Sequence, residues 1–330
     1  MTTVIGGPTT GPGHVDQPVE PVVDPPQARP GSPDLPSFGA PVANPPAGPP
    51  AESNPSGIPV RTVVRTGMLS IAAAGGLFLL WFLVLSGLSY NSAQQQLRSQ
   101  FAGDLVDAVA PVNQPVDAGA PIAVLEIPAI GVDDVVVEGS TATETAVGPG
   151  HLRTSVFPGQ PGTSVVIGRR SGFGGPFGRL ADLGEGDEVR VTTGQGTAGY
   201  QVEEVRVLPG DDAAAFVAPG NTLVLVTSHP RLLASERLAV VARLEGTPFD
   251  RGTRVPQVPP SVSELALAGD SGAAVGVLVW LQVALAGLAA AIVLLRLWRR
   301  WPAWVLVGPV VAALAWKLFS QVALLLPAAL

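Results

Sequence analysis

Residues 222–230 read Thr-Leu-Val-Leu-Val-Thr-Ser-His-Pro, and Arg237 follows after a short loop. The run 222–228 is short, apolar and rich in β-branched residues, which suits a buried pleated surface. Successive strand side chains point to opposite faces, so Ser228 and His229 diverge unless the strand has already ended. Ser228 is then a lone hydroxyl at the end of an apolar strand, and His229 faces the rim or surface of the domain.

Outward from that run, similar segments recur at 122–127, 134–138, 163–168, 187–193, 199–208 and 237–244, punctuated by Gly and Pro. Short, evenly spaced segments of this kind predict an all-β barrel or sandwich over 122–246. That interval is long enough to hold one core of its own.

The flanks have a different composition. Residues 1–60 are rich in Pro and Gly, with Pro-Pro at 25–26, 45–46 and 49–50. Such a segment buries too little apolar surface to offset its ordering entropy, which predicts a disordered cytoplasmic tail with polyproline II character. It is either a solvated spacer or a docking tail for an aromatic groove. Residues 67–89 carry no charge and are long enough to span a bilayer as a helix. Arg61 and Arg65 flank its start, which places the N-terminus in the cytoplasm and residue 90 onward outside. Residues 91–121 read as a short amphipathic juxtamembrane helix followed by a Pro/Gly spacer, and 247–270 as a linker. Two further apolar stretches, 272–295 and 303–328, enclose Arg296-Leu297-Trp298-Arg299-Arg300-Trp301-Pro302, the pattern of a hairpin with a basic cytoplasmic turn. The expectation is a plasma-membrane protein with three spans and residues 122–246 outside. Gln282 and Lys317 fall at similar depth in the hairpin and are expected to meet, together with Gln321; the alternative is a snorkelling lysine.

Composition narrows the function classes. Net charge is −7 with only 14% charged residues, and mean hydropathy is +0.38. No basic stripe is present, which argues against nucleic acid. The chain has no cysteine, so it holds neither a disulfide nor a thiol nucleophile. No metal or cofactor is expected.

Several motifs come in a fixed order: Leu125-Glu126-Ile127-Pro128-Ala129-Ile130-Gly131-Val132, Val136-Val137-Glu138-Gly139, Gly148-Pro149-Gly150-His151 and Gly159-Gln160-Pro161-Gly162-Thr163. Val165-Val166-Ile167-Gly168-Arg169-Arg170, Pro176-Phe177-Gly178-Arg179-Leu180, Gly186-Asp187 and Tyr200-Gln201-Val202 follow, then 222–230 and Arg237. In order and spacing this series resembles the sortase family, cysteine transpeptidases of Gram-positive cell surfaces, and most resembles the actinobacterial class E type. The resemblance covers 122–246 and does not extend to the two C-terminal apolar stretches. It implies an eight-stranded β-barrel. It also implies that Ser228 stands at the cysteine position, Arg169 at the histidine position and Arg237 at the arginine position, with Thr227, His229, His151 and Arg170 around the binding groove.

Sortase chemistry cuts a threonine–glycine bond in a sorting signal and passes the acyl group through the cysteine to an amine. It needs a thiolate, a proton donor for the leaving amine and an oxyanion donor. A serine hydroxyl needs an adjacent base, and a guanidinium does not exchange protons near neutrality. The leading expectation is an inactive pseudo-sortase that binds a sorting-signal-like peptide, wall material, a surface-protein partner or another membrane protein. The alternatives are a transpeptidase or hydrolase using Ser228 with His151 as base, and a structural membrane component acting through its C-terminal hairpin.

Overall fold

The computed structural model describes residues 60–107, 109–111, 116–210, 212–231, 235–251, 269, 272–297 and 302–330. The tail expected over 1–60, except its last residue, most of the 247–270 linker and Trp298–Trp301 of the basic turn lie outside the described residues.

Eight strands form the domain: β1 Pro121–Ile127, β2 Val132–Glu138, β3 Gly150–His151, β4 Thr163–Ile167, β5 Glu188–Thr193, β6 Gly196–Pro209, β7 Thr222–His229 and β8 Glu236–Leu244. They close into a barrel in the order β1-β2-β3-β4-β7-β8-β6-β5. The pairs β2/β3 and β4/β7 are parallel, and the other pairs are antiparallel. Seven of the strands match runs read from the sequence. The two-residue strand β3 was missed, because no periodicity is visible over two residues. It bridges β2 and β4 and so closes the ring. Gly150 permits this approach, since a Cβ there would lie 2.3 Å from the Gly139 carbonyl oxygen.

The inner core holds Leu125, Ile127, Val166, Leu223, Leu225 and Val240. A second apolar cluster holds Leu152, Val165, Ile167, Val224, Val226, Ala239, Val241 and Ala329. Strand β7 therefore packs on both faces, Leu223 and Leu225 in one cluster and Val224 and Val226 in the other. That is why its sequence reads as a continuous apolar run instead of an alternation.

Among the described residues, three helices are long and apolar enough to cross a membrane. The first begins as α1 (Val60–Leu80), widens into a π segment over Trp81–Leu85 and continues as α2 (Ser86–Val106). The juxtamembrane helix expected as a separate element after residue 90 is thus a continuation of the first span. No proline interrupts residues 60–106 to stop the helical ladder. The lower part of α2 docks on the barrel. Gln94 Nε2 donates to the carbonyls of Val135 (3.1 Å) and Val147 (2.8 Å), and Gln94 Oε1 accepts from the Val135 N–H at 2.7 Å. Arg98 pairs with Asp133 at 2.8 Å. The other two helices are α3 (Ala273–Leu297) and α4 (Pro302–Leu324), which pack on each other.

Candidate functional site

The site lies at the end of β7, between β4 and β8. Register pairs Ser228 with Arg237 and Val226 with both Ile167 and Ala239. Val226, Ile167 and Ala239 belong to the second apolar cluster. Strand alternation places Ser228 and Arg237 on that same face, and Arg169 follows Ile167 just beyond β4.

Ser228 is fully buried, and its Oγ has no hydrogen-bond partner. Arg169 is also fully buried. Its Nη2 donates to the Ala142 carbonyl at 2.9 Å, and its Cζ lies 4.8 Å from the Phe173 ring centre. Its Nε and Nη1 have no hydrogen-bond partner, and among the described residues no carboxylate pairs with it. Burial pulls this guanidinium down to about 9, which leaves it protonated at neutral pH. Arg237 reaches the Asp212 carbonyl through Nη1 at 3.3 Å and stacks 4.5 Å over the Phe216 ring.

The strand does not end before His229, so His229 diverges from Ser228 as the alternation requires. Arg170 Nη1 donates to the Ser228 carbonyl at 2.8 Å and lies 2.9 Å from His229 Nδ1. A guanidinium can only donate, so Nδ1 accepts and the ring proton sits on Nε2. His151 is fully buried; its Nδ1 lies 2.8 Å from Glu138 Oε2, and its Nε2 lies 2.9 Å from the Val156 carbonyl and 3.0 Å from Ser155 Oγ. Both of its nitrogens are engaged away from Ser228.

Sequence reasoning missed what covers the site. Beyond α4, residues 327–330 make a turn in which the Leu330 N–H donates to the Pro327 carbonyl at 3.1 Å. The Ala329 carbonyl accepts from the Arg170 N–H at 3.1 Å and the Ser228 N–H at 3.4 Å. Thr227 Oγ1 donates to the Gly168 carbonyl at 2.8 Å and lies 3.3 Å from the same Ala329 oxygen. The Ser171 N–H donates to the Leu330 backbone oxygen. Ala328 and Ala329 are fully buried, and the Ala329 methyl belongs to the second apolar cluster. The reading of 303–328 as a span ending at the membrane surface carried no signal of this, beyond the Pro327 that stops the helix.

A second missed feature is the loop after Arg170. Phe173 adopts φ +42, a left-handed conformation that costs an L residue about 1–2 kcal/mol. It is held by the Phe173 N–H donating to Ser86 Oγ at 2.7 Å and by edge-on contacts with Trp81 and Phe82. Gly172 (φ +65) lets the Phe82 ring approach, since a Cβ there would lie 2.5 Å from it. Trp316 and Phe319 of α4 complete the aromatic cluster, 5.7 and 6.0 Å from Trp81.

Gln282 and Lys317 are both exposed, and no hydrogen bond joins them. Gln321 instead abuts Gly276 of α3, where a Cβ would lie 2.3 Å from its Oε1. Among the described residues no group of three His, Asp or Glu could hold a metal ion.

A family model for the sortase domain matches residues 125–245. Sortase D of Bacillus subtilis (strain 168) is 28% identical over 116 residues, which is 34% of this chain and 57% of that relative's length. Among solved structures, a Clostridium perfringens sortase D5 transpeptidase is similar at 24% identity, over 48% of this chain and 98% of that one, with TM-score 0.40. Sortase E from Streptomyces avermitilis is similar at 28% identity, over 40% and 91%, with TM-score 0.36. Clostridium perfringens sortase C with the C-terminal cell wall sorting motif is similar at 19% identity, over 47% and 89%, with TM-score 0.38. The barrel spanning 125–245 is a domain of the sortase family.

Proposed function

We propose that this membrane-anchored sortase-type barrel grips a peptide without transferring it. The observation that carries the reading is the state of Ser228: a fully buried hydroxyl with no hydrogen-bond partner and no base beside it. A serine nucleophile needs a neighbour to take its proton. Arg169, read as standing at the histidine position, is pulled only to about 9 and stays a cation at neutral pH. His229 faces away, and its Nδ1 is occupied by Arg170. His151 is tied to Glu138 on one nitrogen and to Val156 and Ser155 on the other.

Donors that would hold a peptide remain. The Ser228 and Arg170 N–H groups converge on one carbonyl position, and Arg237 lies across from Ser228. The ligand class is an extended or turned peptide of the sorting-motif type, presented by a surface protein. Arg61 and Arg65 before the first apolar helix support an extracytoplasmic position for the barrel at the plasma membrane. The test incubates the full chain in detergent with a labelled sorting-motif peptide, using wild type, Ser228→Ala and Ser228→Cys/Arg169→His. No acyl adduct is expected on wild type. An adduct on wild type that disappears in Ser228→Ala would establish a serine transpeptidase and end this reading.

A further inference from the structure

Resting on that reading, we propose that residues 325–330, Leu-Leu-Pro-Ala-Ala-Leu, are the resident ligand of the groove: a segment of the chain that fills its own peptide site and leaves when a similar peptide takes its place.

The geometry is that of a ligand in a site. One carbonyl, that of Ala329, meets donors from two separate parts of the barrel: the Arg170 N–H after β4 and the Ser228 N–H on β7. Backbone donors converging on one carbonyl oxygen hold a peptide in register while reading only the side chain beside it. That side chain is small. The Ala329 methyl is fully buried in the cluster of Val165, Ile167, Val224, Val226 and Leu152, and close packing of such a cluster disfavours a larger residue there. The contact also covers the site completely, since Ser228 has no exposed surface while the segment is in place.

The attachment is replaceable. Every hydrogen bond from the segment to the barrel runs through its backbone, so any peptide with a small residue at this carbonyl offers the same acceptor. The segment follows α4 directly, and Leu324 and Leu326 pack on the aromatic cluster of Trp81 and Phe173. It is thus joined to α4 and adds no strand to the barrel ladder, so its departure breaks no strand pairing. A tethered ligand competes at high effective concentration, so a free peptide binds weakly until the segment is displaced. The site accordingly takes peptides that present a small residue at this carbonyl.

The cysteine-free chain makes the test clean. Ser228→Cys places a single thiol beneath the segment in the full-length protein in nanodiscs, and its alkylation rate by a maleimide reports coverage. The comparison adds either deletion of 326–330 or Ala329→Arg, the deletion guarding against overpacking by the arginine. Both are expected to speed alkylation about tenfold or more, and the capped hexapeptide Leu-Leu-Pro-Ala-Ala-Leu is expected to slow it again. Equal rates with and without the segment would overturn the inference while leaving the groove's peptide binding to be measured by the same protection in the Ser228→Cys protein that keeps its segment. Fast alkylation that the hexapeptide does not slow would instead overturn the peptide-binding reading on which the inference stands.

Discussion

The barrel is tied to its membrane helices at two places, and the two are built differently. On the N-terminal side, Gln94 of α2 caps three backbone groups of the barrel through its side chain, Arg98 pairs with Asp133, and Ser86 accepts from Phe173. The glycines of the 172–175 loop are shaped to admit Phe82 and Tyr90. On the C-terminal side, the segment after α4 offers backbone oxygens and one buried methyl. Side-chain-specific bonds with matched glycines make a permanent mount. Backbone bonds with a small apolar anchor make a contact that another peptide can copy. The helix junction is therefore read as architecture and the 325–330 contact as occupancy.

The largest expected effect breaks the mount. Gln94→Leu leaves the buried Val135 N–H and two carbonyls without their partner, at a cost of about 2–3 kcal/mol in chemical denaturation of the full chain. Deletion of 326–330 is expected to cost clearly less in the same measurement; an equal cost would make the segment part of the fold. Next comes Gly172→Ala, where both the positive φ and the Phe82 ring oppose a methyl. It is expected to lower stability by about 1–2 kcal/mol.

Arg169→Met tests the buried cation and is expected to be neutral or to stabilise at pH 7 by about 1 kcal/mol, since it removes an unpaired buried charge. The pH dependence follows from the lowered pKa. Burial pulls folded Arg169 down to about 9, well below the ordinary guanidinium value of the unfolded chain. Between those values the unfolded chain binds more protons, so wild-type stability rises with pH. The advantage of Arg169→Met is full below about 9 and shrinks above it, as denaturation at pH 8 and pH 10.5 would show. The smallest effect is expected from Arg98→Ala, which removes a half-exposed ion pair on the mount and costs under about 1 kcal/mol.

Strand β7 was legible because burial on both faces leaves an unbroken apolar run, and the sortase motifs fixed the order of the strands around it. Strand β3 was not legible, because two residues carry no period. The length of the first helix was underestimated because polarity rises after residue 90, while the backbone has no reason to stop there. At the site, Ser228, Arg237 and Arg169 fall on one side of the barrel, as strand alternation suggests. Nothing local in the sequence foretold Arg169 resting on Phe173 and a backbone carbonyl. The occupant of the groove was invisible for a simpler reason. Thr227 and Ala329 are separated by 102 residues, and Pro-Ala-Ala-Leu has no local pattern that names its partner.

On the proposed reading the groove grips a peptide and does not transfer it. The most direct measurement combines binding and mass on one sample: the 326–330 deletion titrated with a fluorescent sorting-motif peptide by anisotropy, then weighed intact. The predicted result is saturable binding with an unchanged protein mass. A mass increase equal to the acyl part of the peptide, absent in the Ser228→Ala version, would contradict it.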